Sequence, residues 1–167
     1  MCIRDRQYPI YCRKKNLKAK EEVLIDVNIF SKGFEYYRVG SIDISPNNKI
    51  MAYSFDTLSR RLYTIKFINL ETGEEIGKSI SNTSGGLSWA NDNETVFYDK
   101  KNIETLRNEK VFKYNLNNSQ HFEVFFEEDE TFNLNSYKTK SEKYIVISSS
   151  KTISDEYWVL NANEPNK

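Results

Sequence analysis

The 167 residues carry 24 basic and 24 acidic side chains, so the formal charge is zero and no long-range field gathers nucleic acid or an anionic membrane. That length fits one domain with a real core, and a mean hydropathy of −0.68, without any apolar run near the roughly 18 residues of a membrane span, argues against a transmembrane helix. Eleven Tyr and ten Phe favour pleated, half-buried strands over helices. Two cysteines, Cys2 and Cys12, lie close together near the start, and His121 is the single histidine. This usage predicts a reducing, cytoplasmic setting and too few ligands for structural zinc. No apolar segment follows residues 1–6, so no signal peptide is expected.

Residues 1–6 read as part of no element and are expected to be non-native or disordered. Residues 7–41 form a lead-in: an extended Tyr8-Pro9-Ile10-Tyr11-Cys12, a basic connector with Arg13, Lys14, Lys15, Lys18 and Lys20, then a β-branched strand over 22–27. Asp26 or Asn28 can cap a short turn or helix that Gly33 ends at positive φ. An inner strand is expected over 42–44, a turn at Pro46-Asn47-Asn48, and a doubly buried strand over 50–55. Residues 62–70 alternate, with Tyr63, Ile65 and Phe67 on one face. A hairpin at Glu71-Thr72-Gly73 leads into a short outer strand over 74–76.

The pattern of residues 42–53 returns at 87–98 and, more diverged, at 137–146. Matching Ile44, Trp89 and Tyr137 gives spacings of 45 and 48 residues. A period of this size built from short strands marks the blades of a propeller. The fold class is therefore all-β, a partial β-propeller of two and a half to three four-stranded blades at about 42–83, 84–131 and 132–167, the last incomplete. Trp89 should enter the gap between neighbouring blades. Ser84-Gly85-Gly86 should separate the first two blades, 99–110 should be a rim loop, and Glu127-Glu128-Asp129-Glu130 a solvated crossover. A propeller that stops in mid-blade leaves a bare sheet face, which reads as a fragment of a longer chain.

Chemistry is scarce. No Gly-x-Ser-x-Gly elbow occurs, because Glu75 stands between Gly73 and Gly77. His121 reads as a surface residue in a polar turn rather than a general base. Ser84-Gly85-Gly86 lacks the lysine of a phosphate loop, and Asn91-Asp92-Asn93-Glu94 lacks the rest of a calcium loop. Asp56, Arg60 and Arg61 cluster on one loop, as an interdomain or substrate contact or as ordinary rim ion pairs. No catalytic, cofactor-binding or metal residue is assigned.

Several stretches resemble the propeller of the prolyl oligopeptidase family of serine peptidases, in its oligopeptidase B branch. These are Tyr8-Pro9-Ile10-Tyr11-Cys12-Arg13-Lys14, Glu22-Val23-Leu24-Ile25-Asp26-Val27-Asn28, Arg60-Arg61-Leu62-Tyr63-Thr64, Trp89-Ala90-Asn91-Asp92-Asn93, Glu104-Thr105-Leu106-Arg107, Asp129-Glu130-Thr131-Phe132 and Leu160-Asn161-Ala162-Asn163-Glu164-Pro165. The resemblance implies a seven-bladed propeller capping an α/β-hydrolase domain with a Ser-Asp-His triad that cuts short peptides after Arg or Lys. The triad would lie beyond Lys167, leaving this stretch inactive alone, with short basic peptides and the hydrolase domain as its partners. A propeller serving only as an interaction scaffold is the competing expectation.

Overall fold

A computed structural model describes residues 7–166. The expectation for residues 1–6, Cys2 included, lies outside the described residues. The chain opens with an antiparallel hairpin of β1 (Ile10–Arg13) and β2 (Glu22–Asp26), followed by the single helical turn α1 (Val27–Phe30). The Asp26 carboxylate accepts the Asn28 amide at 3.0 Å and so caps that turn, and Gly33 leaves it at φ 88°.

Three blades follow. The first is β3 (Arg38–Ile44), β4 (Ile50–Asp56), β5 (Tyr63–Asn69) and the outer half of β6 (Glu75–Trp89). The second takes the inner end of β6, then β7 (Thr95–Lys101), β8 (Asn108–Asn115) and β9 (Gln120–Phe126). The third comprises β10 (Asn133–Lys138), β11 (Tyr144–Lys151) and β12 (Ser154–Asn161). All pairings are antiparallel. The all-β propeller expectation holds.

The change of blade falls at 84–86, where it takes the form of a bend within the continuous strand β6. Ile80 pairs with Ile65 of the first blade, while Leu87 and Trp89 pair with Tyr98 and Val96 of the second. Gly85, at φ 96°, turns the strand there, and a Cβ on it would sit 2.9 Å from the Tyr63 ring. The rim loop is shorter than 99–110. Asp99 pairs with Val111 and Lys100 with Lys110, so only 102–107 connects β7 to β8.

Each blade covers the next. Ala52, Ile65 and Phe67 of the first pack against Leu87, Trp89, Val96, Tyr98 and Tyr114 of the second. Ala90, Phe97 and Val111 of the second meet Leu134, Ile145, Ile147 and Ala162 of the third. The other face of the first blade, with Met51 and Tyr53, is covered by Ile25, Val27 and Tyr37 of the lead-in.

Trp89 is 1% exposed and lies in the gap between blades. Its ring meets Phe67 edge-on at 6.1 Å, and its Nε1–H donates to the Asp43 carbonyl at 3.2 Å. Tyr137 is not its counterpart. The bonds closing the turns, Ser45 N–H to Ile50, Ala90 N–H to Thr95 and Thr139 N–H to Tyr144, align Ile44 and Trp89 with Lys138 instead. Tyr137 falls one position earlier and, with the two-residue alternation of a strand, turns to the uncovered face, 41% exposed. Tyr157 and Val159 share that face.

Trp89→Ala should lower the free energy of unfolding by about 3–5 kcal/mol. An unchanged urea midpoint would contradict its place at the centre of the joint.

Candidate functional site

The inner strands β3, β6 and β10 lie side by side, and a groove of about 330 Å³ opens along them. Asp43, Ser88 and Tyr137 stand at matching register positions there, beside Lys138, Lys140 and Glu142. One oxygen of Asp43 accepts the Trp89 amide at 3.1 Å and the other accepts the Ile44 amide at 3.0 Å. Burial raises the pKa of Asp43, partly offset by these amides and by Lys138. Ser88 is buried and has no histidine near it among the groove residues, so this groove is a polar seam rather than a nucleophile site.

The Asp56, Arg60, Arg61 loop is built differently from a rim ion-pair cluster. Asp56 is 1% exposed, and its two oxygens accept the Leu58 and Arg61 amides, each at 2.8 Å. The carboxylate therefore shapes the loop, in which Ser59 and Arg61 hold φ of 57° and 58°. Arg60 and Arg61 project outward. Lys101, on the next blade, lies near enough that burial first and Arg61 second lower its pKa. Arg38 and Arg61 also act on the phenol of Tyr63, which burial raises. The result is a rim with an excess of positive charge around one internal carboxylate.

His121 lies on strand β9 rather than in a turn. Its Nδ1 is 2.9 Å from the Tyr98 hydroxyl, and its ring lies 4.7 Å from Tyr114. Burial pushes the Tyr98 phenol up, and the His121 tautomer sets which of the two groups donates. Burial, then Lys100 and Lys78, lowers the His121 pKa and favours the neutral ring.

The acidic run is not uniformly solvated. Glu127 turns inward and accepts the Ser149 hydroxyl at 2.5 Å, and Asp129 accepts both the amide and the hydroxyl of Thr131. Sequence reasoning passed over Arg107. Its guanidinium, 11% exposed, donates to the carbonyls of Glu127, Asp129 and Phe132 at 3.1–3.2 Å, clamping the crossover from the second blade to the third. Only the fork of donors spanning loops far apart in sequence reveals it. Among the described residues, no group of three His, Cys, Asp or Glu could hold a metal ion.

These features describe blades of a propeller with their joints and rims. The family profile "Prolyl oligopeptidase, N-terminal beta-propeller domain" matches residues 3–167. Dipeptidyl aminopeptidase BI of Pseudoxanthomonas mexicana is 34% identical over 98% of this chain and 25% of its own length. Protease 2 of Moraxella lacunata is 27% identical over 97% of this chain and 25% of its own. The solved oligopeptidase B from Leishmania major superposes with a TM-score of 0.85 at 28% identity, covering 94% of this chain and 23% of that one. The chain belongs to the prolyl oligopeptidase family of serine peptidases and spans the N-terminal propeller region, about a quarter of the length of these relatives.

Arg107→Ala should cost about 1.5–3 kcal/mol, the range for charged hydrogen bonds, and expose residues 127–132 to proteolysis. Arg107→Lys should not restore protection, because one ammonium cannot span three carbonyls. Full rescue by lysine would show that charge alone is needed.

Proposed function

We propose that this chain is the propeller part of an oligopeptidase B-type serine endopeptidase that hydrolyses short peptides after Arg or Lys. The observation that carries the reading is the superposition on the Leishmania major oligopeptidase B over 94% of the chain at 28% identity. The part played by this region is mechanical. Blades locked face to face leave a narrow way through the inner strands, which passes flexible peptides and stops folded proteins, as a lid does. The catalytic α/β-hydrolase domain supplies the triad and the groups that read the basic side chain. The basic rim of Arg38, Arg61 and Lys101 suits carboxylates on that partner domain. We place the protein in the cytoplasm, a reading supported by the low cysteine content and the exposed thiol of Cys12.

A second reading has its own support. The relative at 34% identity is named a dipeptidyl aminopeptidase, which points to release of dipeptides from a free N-terminus. Two chromogenic substrates separate these activities when offered to the propeller together with its catalytic domain. Turnover of an N-blocked peptide ending in Arg supports the endopeptidase. Turnover only of a dipeptide with a free amine supports the second reading, and turnover of neither leaves a non-enzymatic scaffold. The 167-residue chain alone should release no product from either.

A further inference from the structure

At one register position the joint between the second and third blades carries an ionisable group where the first joint carries a hydroxyl, the first joint's own carboxylate being Asp43 under Trp89. Ser54 on β4 and Asp99 on β7 occupy the same register position, four residues beyond Ile50 and Thr95, the acceptors that close the two turns. Ser54 Oγ donates to the Gly85 carbonyl of the next blade at 2.6 Å and accepts the Ser41 amide at 2.9 Å. Nothing in that first contact titrates.

At the second joint the Asp99 side chain is enclosed, the residue being 1% exposed. Its Oδ1 accepts the hydroxyl of Ser136, on the inner strand of the third blade, at 2.5 Å. Its Oδ2 lies 3.3 Å from the hydroxyl of Ser84, on the inner approach of β6. The charged groups around it are accounted for. β6 brings Ser84 and no charge at this level, and β10 brings Ser136, its first charge being Lys138, which lines the groove beside Asp43. On β8, Glu109 lies near Arg107 and bonds to Asn102, while Lys113 is held by the Pro165 carbonyl and Asn166. On β7 itself, Lys101 answers to Arg61 and Asp56. Glu127, across the crossover, takes the Ser149 hydroxyl. Among the described residues, no cation is paired with Asp99.

We infer that Asp99 is a proton-operated clasp between the second and third blades: enclosed there without a cation, it holds the joint more firmly when protonated and loosens it when ionised, against the pull of the Ser136 and Ser84 hydroxyls that donate to its oxygens. The inference concerns the contact between two sheets and stands whether or not the propeller gates peptides. Burial pushes the Asp99 carboxyl up to about 6, opposed by the Ser136 hydroxyl and amide and by Ser84. A carboxyl in the opened joint meets water and titrates near the ordinary value of about 3.9. The closed joint thus holds a proton that the open joint releases. Closure is fully favoured below about pH 4, loses ground as pH rises to about 6, and is constant above that.

Hydrogen exchange at the amides of β10, corrected for intrinsic rates, reads the opening in the propeller with its catalytic domain present. The ratio of opening in the native protein to that in Asp99→Asn should rise about thirtyfold between pH 4.5 and 7.5. A ratio that stays flat overturns the clasp. Isotope-edited infrared spectroscopy of the Asp99 carboxyl in the native protein needs no variant. A midpoint near 6 supports the inference and one near 4 overturns it.

Discussion

The covering of one two-faced sheet by the next is the constraint on which this structure depends. Strands such as β4 and β7, buried on both sides, have no solvent face to retreat to, so each blade is stable only between neighbours. Trp89 brings this to one point. Its ring fills the space beside Phe67, while its backbone and indole N–H groups bond to the carboxylate and carbonyl of Asp43 on the preceding blade. One residue thus ties apolar burial and polar registration together, which sets the distance between sheets as well as their relative slide.

Around that apolar centre the polar contacts repeat with the blades but change their chemistry. The turns meet edge to edge, with the Asn47 amide donating to Asn93 and the Asn91 side chain donating to the Glu142 carbonyl. Deeper in, the first joint uses Ser54 and the second uses Asp99. Arg107 adds a further tie at the rim of the second joint, holding three carbonyls of the crossover. Equivalent geometry with unequal groups makes joints of unequal strength and unequal response to protons. The shape of the repeat is kept while its energetics vary from blade to blade.

The groove between inner strands is lined by Asp43, Ser88, Lys138 and Glu142, and the region belongs to the N-terminal propeller of the prolyl oligopeptidase family. The gating role proposed above asks two things of such a region. These are rigid joints and a definite charge at the rims, and both trace to named side chains here. Asp56 shows how the two are separated. It spends its charge internally on loop amides, which leaves the outward guanidinium groups of Arg60 and Arg61 available to another surface.

The architecture was legible because blades repeat. Alternation within strands, turn residues at Pro46-Asn47-Asn48 and Glu71-Thr72-Gly73, and the 45-residue return of the Ile44 pattern at Trp89 each follow from local backbone chemistry, which a sequence records directly. The third copy was misaligned by one residue, since Lys138 hides an inner-strand position that is apolar in the other two blades, and a shift of one exchanges the faces of a strand. The continuity of β6 through the Gly85 bend, the internal role of Asp56, the clamp of Arg107 and the enclosure of Asp99 were decided by tertiary structure alone. Each joins groups between 5 and 37 residues apart whose meeting depends on how blades stack and loops close, and that stacking has no local signature. The sequence by itself determined the strands and their repeat, because neighbours along the chain specify them. Packing determined which polar groups lost their water, because burial belongs to the assembled sheets.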